Sequence, residues 1–190
     1  MSGAPSAVER AFAAAYGGEP AEARAVRPGA GEDVVVRGLA AYRGEDHWHL
    51  VTVGLADPHH APRDPQAAGG RPGMGQELTL LTPAAPRPPA WAYDLLLGAA
   101  RTSVAVGRPF HAGARLAPGA PVDGAESALV ALGLREDPVV TVPGAAAPLL
   151  LQVVGVTLGE YLLMQRVGTA TVLGRLAQRD PLLRTDPARG

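Results

Sequence analysis

The sequence contains no cysteine, and this absence removes several kinds of chemistry at once. Disulfide bonds, thiolate nucleophiles, iron–sulfur clusters and thiolate zinc sites are all excluded. Lysine is absent as well, so all 17 basic residues are arginine. That excludes a lysine Schiff base and the lysine of a phosphate-binding P-loop. Asparagine and isoleucine are also missing, and because Lys, Asn and Ile share A/T-rich codons, the composition is typical of a GC-rich bacterial genome.

Strong charge and long apolar runs are absent too. The chain has 190 residues, of which 47% are apolar, and its formal net charge is −1. These values favour one domain with a proper core and exclude a disordered or strongly basic nucleic-acid-binding chain. The longest uncharged apolar run, 145–159, is too short to span a bilayer, and residues 1–10 do not form a signal peptide. We expect a cytoplasmic protein that binds neither nucleic acid nor membrane.

The strongest structural signal is the stretch His-Trp-His-Leu-Val-Thr-Val-Gly-Leu at 47–55. Val51, Thr52 and Val53 favour an extended backbone, and Trp48 brings a large area to bury. Gly54 marks the exit of the strand. The pattern predicts a buried central strand followed by a long loop without periodicity, 56–75.

The remaining elements alternate without a regular βαβ rhythm. The patterns predict helices at 5–16, 89–106, 157–166 and 169–179, and strands at 34–36, 76–81, 129–134, 138–142 and 149–156. Residues 18–31 and 38–46 are expected to be links, and the tail from 182 to 190 is expected to be loose. The fold class is therefore α+β, a single domain with a mixed sheet flanked by helices. We divide it into an N-terminal helix and connector, 1–30, and a main domain, 31–187.

Two histidines in the central strand have two interpretations. His47 and His49 are two residues apart, so their side chains point to the same face of the strand. Together with His59, His60 or Asp57 they could bind a metal ion and support a metal-dependent hydrolase. Alternatively, they hydrogen-bond within the core while Trp48 packs on the opposite face.

Other catalytic signatures are missing. None of the four serines lies in a Gly-x-Ser-x-Gly elbow. The carboxylate pairs Glu32-Asp33, Glu45-Asp46 and Glu136-Asp137 are adjacent in sequence, so their side chains diverge, and each pair is typical of a turn or a solvated edge. Gly73-x-Gly75 precedes a strand rather than a helix, which does not suit a phosphate-binding loop. We expect no catalysis and no cofactor.

A polar interaction surface is the remaining candidate site. The loop 56–75 mixes charged groups and imidazoles, a composition suited to adaptable contacts with another protein. A disordered surface loop is the alternative interpretation. The candidate partner-binding residues are Asp57, His59, His60, Arg63, Asp64 and Arg71.

The order of these segments resembles the suppressor-of-fused (SUFU-like) family. The stretch 47–55 resembles the family's His-Trp-His-aromatic-Val-Thr-aromatic-Gly-Leu strand, and Gly-Met-Gly-Gln-Glu-Leu-Thr-Leu at 73–80 resembles its Gly-Phe-Gly-Phe-Glu-Leu-Thr-Phe strand. The resemblance covers 30–187. Four further motifs follow in the family's order: Pro-Pro-Ala-Trp at 88–91 with the helix 95–101, Glu-Asp-Pro at 136–138, Leu-Gln-Val-Val-Gly-Val at 151–156, and Asp-Pro-Leu-Leu-Arg-Thr-Asp at 180–186.

The resemblance implies a non-enzymatic protein-binding domain. Two-domain members in animals restrain a transcription factor in Hedgehog signalling, whereas we expect a single domain here, which cannot form a clamp between two domains. The family's Ser-Asp-Leu-Tyr-Gly-Asp corresponds here to Ala-Asp-Pro-His-His at 56–60, and only Asp57 matches. Transcription-factor binding is therefore not transferred. For a bacterial single-domain member, the resemblance implies an interaction or immunity protein whose partner is a toxin domain.

Overall fold

A single mixed β-sheet with helices on both faces forms the body of the protein. The computed structural model describes residues 5–27, 35–117 and 119–189. In this part of the chain no helix is long and apolar enough to cross a membrane. The helices are α1 (Ala7–Tyr16), α2 (Ala90–Val106), α3 (Leu158–Val167) and α4 (Thr169–Leu176). The strands are β1 (Glu22–Ala25), β2 (Gly38–Arg43), β3 (His47–Val53), β4 (Gln76–Pro83), β5 (Arg115–Leu116), β6 (Leu129–Glu136) and β7 (Leu149–Thr157).

The strand order across the sheet is β1-β2-β3-β4-β7-β6-β5. Neighbouring strands are antiparallel except for β4 and β7, which are parallel and lie at the centre. Each central strand is covered on both sides, which explains the continuous apolar sequence of β7. The α+β class with a mixed sheet flanked by helices is confirmed.

Each face of the sheet has its own apolar core. Helix α2 covers one face, where Leu96 and Ala100 pack against Trp48, Leu80 and Leu151. On the other face, α1 lies over the β2–β3 half and the α3–α4 pair lies over the β6–β7 half. Because successive side chains of a strand point to opposite faces, the central strands contribute to both cores.

Local capping signals explain the helix boundaries. Ser6 and Glu9 form a reciprocal capping box at the start of α1, and Thr157 and Glu160 form the predicted one at the start of α3. Helix α2 ends at Gly107, which adopts the left-handed conformation that favours glycine. The predicted helices are confirmed, with α4 ending three residues earlier than expected.

Two regions that were predicted as links are strands. Residues 38–43 form β2 at the heart of the first half of the sheet, and 22–25 form β1 within the expected connector. The expected strand at 34–36 is wrong for Val35 and Val36, which are not in a strand, while Val34 lies outside the described residues. Residues 138–142 are also irregular rather than extended in a sheet. Two Ala-containing segments thus become strands and two Val-rich segments do not, because sheet pairing, not propensity, decides their structure.

The tail that was expected to be loose is fixed to the sheet. Leu183 and Thr185 are buried, and the backbone N–H of Thr185 donates to the carbonyl of Leu81 at 2.7 Å. The amide of Gln152 donates to the carbonyls of Leu182 and Leu183. This part of the chain therefore belongs to the folded core, and the expectation of a loose tail is wrong for residues 182–189.

Replacing Thr185 with valine should lower the free energy of unfolding by about 1–2 kcal/mol, because a buried backbone donor loses its partner. The Thr185 hydroxyl accepts a hydrogen bond from the N–H of Gly155 at 2.9 Å, and the side chain is fully buried. Urea unfolding measures the loss. Thr185→Ser retains the hydroxyl and serves as the control, and an equal loss in both variants would contradict this assignment.

Candidate functional site: strand β3 and the loop that follows it

Strand β3 presents different chemistry to the two faces of the sheet. Trp48 points to the α2 side, where its indole N–H donates to the carbonyl of Ala85 at 2.9 Å. His47 and His49 point to the α1 side, as their spacing predicted. Both histidines are buried, and His49 is completely inaccessible. The interpretation in which they hydrogen-bond within the core is the one that the structure shows.

The two histidines share one hydroxyl group from α1. The Tyr16 hydroxyl lies 3.0 Å from Nε2 of His47 and 2.8 Å from Nδ1 of His49. The other nitrogen of each ring faces a carboxylate: His47 Nδ1 is 3.0 Å from Asp46, and His49 Nε2 is 2.8 Å from Asp137. Five side chains thus form one continuous chain of hydrogen bonds between the sheet and α1.

The direction of the two hydrogen bonds at Tyr16 follows from the single proton of its hydroxyl group. That proton can be donated to only one of the two nitrogen neighbours. The other histidine must therefore donate to the hydroxyl oxygen. Tyr16 thus provides a hydrogen-bond partner to one nitrogen of each buried ring.

Asp137 is the buried carboxylate of this chain. Burial raises its pKa, but hydrogen bonds from His49, Thr79 and the Val140 N–H outweigh that effect, so its pKa lies below the ordinary value. Of the two alternatives predicted for the pair Glu136-Asp137, the turn is correct, whereas the solvated edge is wrong for Asp137, whose side chain is fully buried. The Asp-Pro sequence after β6 indicated the turn, but no local signal indicated a partner 88 residues away in sequence.

The histidine metal site of the hydrolase interpretation is not assembled. His47 and His49 are hydrogen-bonded to Tyr16, Asp46 and Asp137, while the rings of His59 and His60 contact each other at a tilt, with centroids 3.9 Å apart. Across residues 5–27, 35–117 and 119–189, no group of three or more histidine, aspartate or glutamate side chains is placed to hold a metal ion.

One buried carboxylate, that of Glu77, anchors the start of the loop 56–75. It contains two short 3₁₀ helices, Pro58–His60 and Pro65–Ala68. Glu77 in β4 accepts hydrogen bonds from the backbone N–H groups of Gly54 at 2.9 Å and Ala56 at 3.0 Å. The Thr52 hydroxyl donates to the other carboxylate oxygen at 2.6 Å. Glu77 therefore fixes the point at which the chain leaves β3 and enters the loop.

The environment of Glu77 raises the pKa of its carboxyl group. Burial raises the pKa of Glu77 to about 7, although the hydrogen bonds from Thr52, Ala56, Gly54 and Leu55 act in the opposite direction. When the carboxyl is protonated it can donate to the Thr52 hydroxyl, whose own proton is then free to turn toward the Leu78 carbonyl, 3.5 Å away. The loop anchor is thus formed in both ionisation states.

Three of the predicted partner-binding residues also hold the loop in place. Asp57 is 2.9 Å from the Nε of Arg37 in an ion pair. Arg63 donates from its side chain to the carbonyl of Ala105 and from its backbone to that of Gly107, at the end of α2. Arg71 donates from Nε to the carbonyl of Ala147 at 3.0 Å. The loop is therefore attached to three separate parts of the body.

The other three predicted residues are placed differently from one another. His59 and Asp64 are exposed, and the Asp64 carboxylate also caps the second 3₁₀ helix by accepting from the Gln66 N–H. His60 is buried beneath His59. The loop thus presents His59 and Asp64 outward, with the exposed side chain of Arg63 between them in sequence.

A small cavity of about 270 Å³ lies where the loop meets α1. Its wall includes Asp57, Arg37, Glu77 and the capping residue Ser6, together with Pro58, Pro72 and Pro148. Asp57, the one residue of 56–60 that matches the SUFU-like pattern, therefore lines a concave surface. Sequence reasoning found Asp57 but missed Arg37 and Glu77, because neither lies in the loop that they support.

Replacing Gly73 with alanine should displace the loop. A Cβ at Gly73 would lie 2.4 Å from both the Ala56 carbonyl carbon and the Asp57 carbonyl oxygen, at a φ of +58°. Gly70→Ala is the matched control, because it also has a positive φ, +76°, but no atom within 4 Å of the added carbon. We expect Gly73→Ala to lower the free energy of unfolding by roughly 1–3 kcal/mol more than Gly70→Ala in chemical denaturation. Equal losses would show that the close approach of the two segments is not rigid.

Comparison with known sequences identifies relatives of this chain. A family profile described as suppressor of fused protein (SUFU) matches residues 33–190. Human suppressor of fused homolog is 31% identical over 154 residues, which cover 76% of this chain. The match covers 30% of the human protein, so the chain spans about a third of the length of that relative.

Solved structures share the fold. The crystal structure of a Sufu–Fu complex contains a chain that superposes with a TM-score of 0.84 at 22% identity, covering 97% of this chain and 89% of that one. Drosophila suppressor of fused gives a TM-score of 0.72 at 24% identity, covering 82% of this chain and 42% of that one. A SUFU homolog from Neisseria gonorrhoeae gives 0.66 at 13% identity, covering 97% and 93%. At these identities the structures establish the fold.

Proposed function

The chain belongs to the suppressor of fused family, and on that premise we propose that it binds another protein through the loop 56–75 and has no catalytic activity of its own. Membership of this family supports a protein-binding domain. One member, Sufu, is seen in complex with Fu. The finer assignment, which surface binds and which partner is bound, is our proposal.

The observation that carries the proposal is the way the loop is held. Hydrogen bonds and ion pairs to Glu77, Arg37 and the end of α2 attach the loop along its length, while His59 and Asp64 face outward. A surface that is ordered before binding loses less conformational entropy when it binds. Exposed polar residues on a loop that a rigid sheet supports are typical of recognition sites.

The cavity beside the loop adds a place for a partner's side chain. Asp57 brings a negative charge to its wall and Arg37 a positive one. A negatively charged group of the partner can therefore pair with Arg37 in place of Asp57, and a positively charged group can pair with Asp57 in place of Arg37. Exposed ion pairs of this kind contribute little to stability, so exchanging one partner costs little.

We propose further that the chain is an immunity protein of a bacterium, that it acts in the cytoplasm, and that it neutralises a toxin domain by occluding the toxin's active site. Occlusion requires steric and electrostatic complementarity and no chemical step. The arginine-only basic composition supports the bacterial origin.

Quantitative affinity purification tests the binding proposal. The tagged chain is compared with a loop variant, His59→Ala/Asp64→Asn, in which asparagine retains the capping oxygen but removes the charge. The matched control is Glu126→Gln/Arg179→Ala, which changes two exposed residues elsewhere. We expect a stoichiometric protein with the parent and the control, and loss of that protein with the loop variant. Equal capture by all three would contradict a role for the loop.

Co-expression tests the immunity proposal separately. Candidate secreted effectors of the native host are expressed with the chain or with the loop variant, and growth is measured. The proposal expects that the chain restores growth against one effector and that the loop variant restores it less. If no effector is neutralised, the immunity role is wrong even where a partner is captured.

A further inference from the structure

An open groove lies at the β5 edge of the sheet, at the opposite end from strand β1. It runs between the C-terminal half of α2, the short edge strand β5 and the first turns of α3, and its volume is about 480 Å³. Its wall combines polar groups with the apolar side chains of Val106, Phe110, Leu116 and Tyr161. A second groove of about 370 Å³ continues it along α2, sharing Thr102 and Leu116, and has Asp94 in its wall.

The charge of the groove is of one sign. Arg108 and Arg115 line it, with His111 between them in sequence, and no aspartate or glutamate is part of its wall. Both arginines are exposed, and neither has a carboxylate partner in the described parts of the chain. In contrast, Arg184 and Arg189, which do not line the groove, are each paired with an acidic residue.

Exposed apolar residues extend the groove onto α3. Val106 exposes 51% of its surface, Leu158 57% and Leu162 49%. Leu158 lies three residues before Tyr161, and Leu162 lies four residues after Leu158, so the two leucines are neighbours on the helix that contributes Tyr161 to the groove. Large apolar side chains that remain exposed together are typical of a protein-interaction site.

We propose that this groove binds an acidic amphipathic segment of a partner protein, with the segment's apolar side chains against Phe110, Leu116 and Tyr161 and its carboxylates against Arg108 and Arg115. The charge argues for this occupant, because guanidinium groups without acidic neighbours favour carboxylates and can bind them in a bidentate manner. The edge of β5 that faces away from β6 is unpaired in the described sheet and adjoins the same groove.

The proposal does not depend on the loop 56–75. The groove adjoins the loop where Arg63 contacts the end of α2, but none of the six predicted loop residues lines it. The loop variant His59→Ala/Asp64→Asn should therefore bind an acidic peptide as well as the parent chain does. Failure of the groove proposal would leave the loop proposal standing, and the reverse also holds.

Fluorescence anisotropy with a defined peptide tests the groove. The probe is a labelled amphipathic peptide with Leu and Phe at helical spacing and Glu on the other face, and the control peptide has Lys in place of each Glu. We expect the acidic peptide to bind, the lysine peptide not to bind, and affinity to fall as salt increases. The double variant Arg108→Glu/Arg115→Glu should weaken binding roughly tenfold or more.

Two further variants test whether binding depends on the charges and the apolar side chains of the groove itself. Arg175→Glu/Arg179→Glu makes the same charge change at two exposed arginines on and just after α4, and should bind like the parent chain. Val106→Ser removes an apolar contact and should weaken binding several-fold without a change in charge. Thermal unfolding of each variant confirms that the fold is retained.

Three results would overturn the proposal. Equal binding by the Arg108/Arg115 double variant and the parent chain would remove the groove as the site. Binding to vesicles of phosphatidylserine and phosphatidylcholine, lost in the double variant while no peptide binds, would assign the surface to a membrane. A dimer in size-exclusion chromatography that the double variant dissolves, again without peptide binding, would assign it to a second copy of this chain.

Discussion

Replacing Glu77 with alanine is expected to lower the free energy of unfolding by about 3–5 kcal/mol at neutral pH. The substitution leaves three buried donors without an acceptor, the N–H groups of Gly54 and Ala56 and the Thr52 hydroxyl. It also opens a cavity beside β3. Because the carboxylate fixes the start of the loop 56–75, we expect the loss to appear both in urea unfolding and as faster amide hydrogen exchange in the loop.

The pH dependence of Glu77 has a definite sign. Its pKa is raised from 4.5 to about 7 in the folded protein, so folding favours the protonated carboxyl. The raised pKa contributes roughly 3 kcal/mol to the free energy of unfolding. This contribution is complete below about pH 4.5 and is lost as the pH rises toward 7. Glu77→Gln, which keeps an oxygen for Gly54 and Ala56 but cannot ionise, should show no such decline between pH 5 and pH 8.

The two Glu77 variants separate the structural role from the ionisation. Alanine removes the anchor, whereas glutamine removes only the charge. If the glutamine variant retained the decline of the parent chain between pH 5 and pH 8, another group would be responsible for it. If the alanine variant were as stable as the parent, the anchor assigned to Glu77 would be wrong.

Replacing Asp137 with alanine should lower the free energy of unfolding by about 3–5 kcal/mol at neutral pH, because it removes the buried carboxylate that lies 2.8 Å from Nε2 of His49. The substitution also leaves the N–H groups of Val139 and Val140 and the Thr79 hydroxyl without an acceptor. The exposed neighbour provides the matched control: Glu136→Ala should change stability by less than about 0.5 kcal/mol in the same urea titration.

The effect of Asp137 on the pH profile is opposite to that of Glu77. Its pKa is lowered in the folded protein, so its contribution is present above the ordinary aspartate pKa and is lost as the pH falls through the folded value. The parent chain should therefore lose stability on strong acidification, and Asp137→Ala should lack that part of the loss. An acid limb of the same depth in both proteins would show that Asp137 is not ionised in the core.

Amide exchange in helix α1 should reveal whether the hydrogen bonds among Tyr16, His49 and Asp137 are intact. Tyr16 is its last residue and bonds to both histidines, and Phe12 packs edge-on against His49 with ring centroids 4.8 Å apart. Breaking the Asp137–His49 pair should therefore loosen α1 before the rest of the sheet. Amide exchange in α1 should increase in Asp137→Ala more than exchange in α2, which packs on the other face.

The sequence patterns predicted the fold well where one local signal was strong. The strands around Trp48 and in β4, β6 and β7 follow from short runs of leucine and β-branched residues, and α1, α2 and α3 follow from apolar spacing and capping residues. The patterns failed for β1 and β2, whose Ala- and Gly-containing segments become strands through pairing with β3. They also failed for the tail, since its attachment depends on Thr185 meeting the distant Gly155 and Leu81.

Only some residues of the candidate site could be predicted from the sequence, for the same reason. Spacing placed His47 and His49 on one face, and the non-periodic stretch after Leu55 indicated the loop. The residues that give both features their structure are Tyr16, Glu77 and Asp137, which come from other elements. A carboxylate whose partner lies tens of residues away has the same appearance in sequence as a solvated one, so only the folded arrangement distinguishes them.

The most direct test of the account is hydrogen-exchange mass spectrometry of the chain alone and in complex with the partner captured by affinity purification. The account predicts that amides of the loop 56–75 are already protected in the free chain, because Glu77 and the loop's attachments hold it, and that they gain further protection in the complex. A complex whose new protection lies wholly outside the loop would contradict the loop as the binding surface. Absence of any stoichiometric partner from the native host would contradict the central claim, that this domain works by binding another protein.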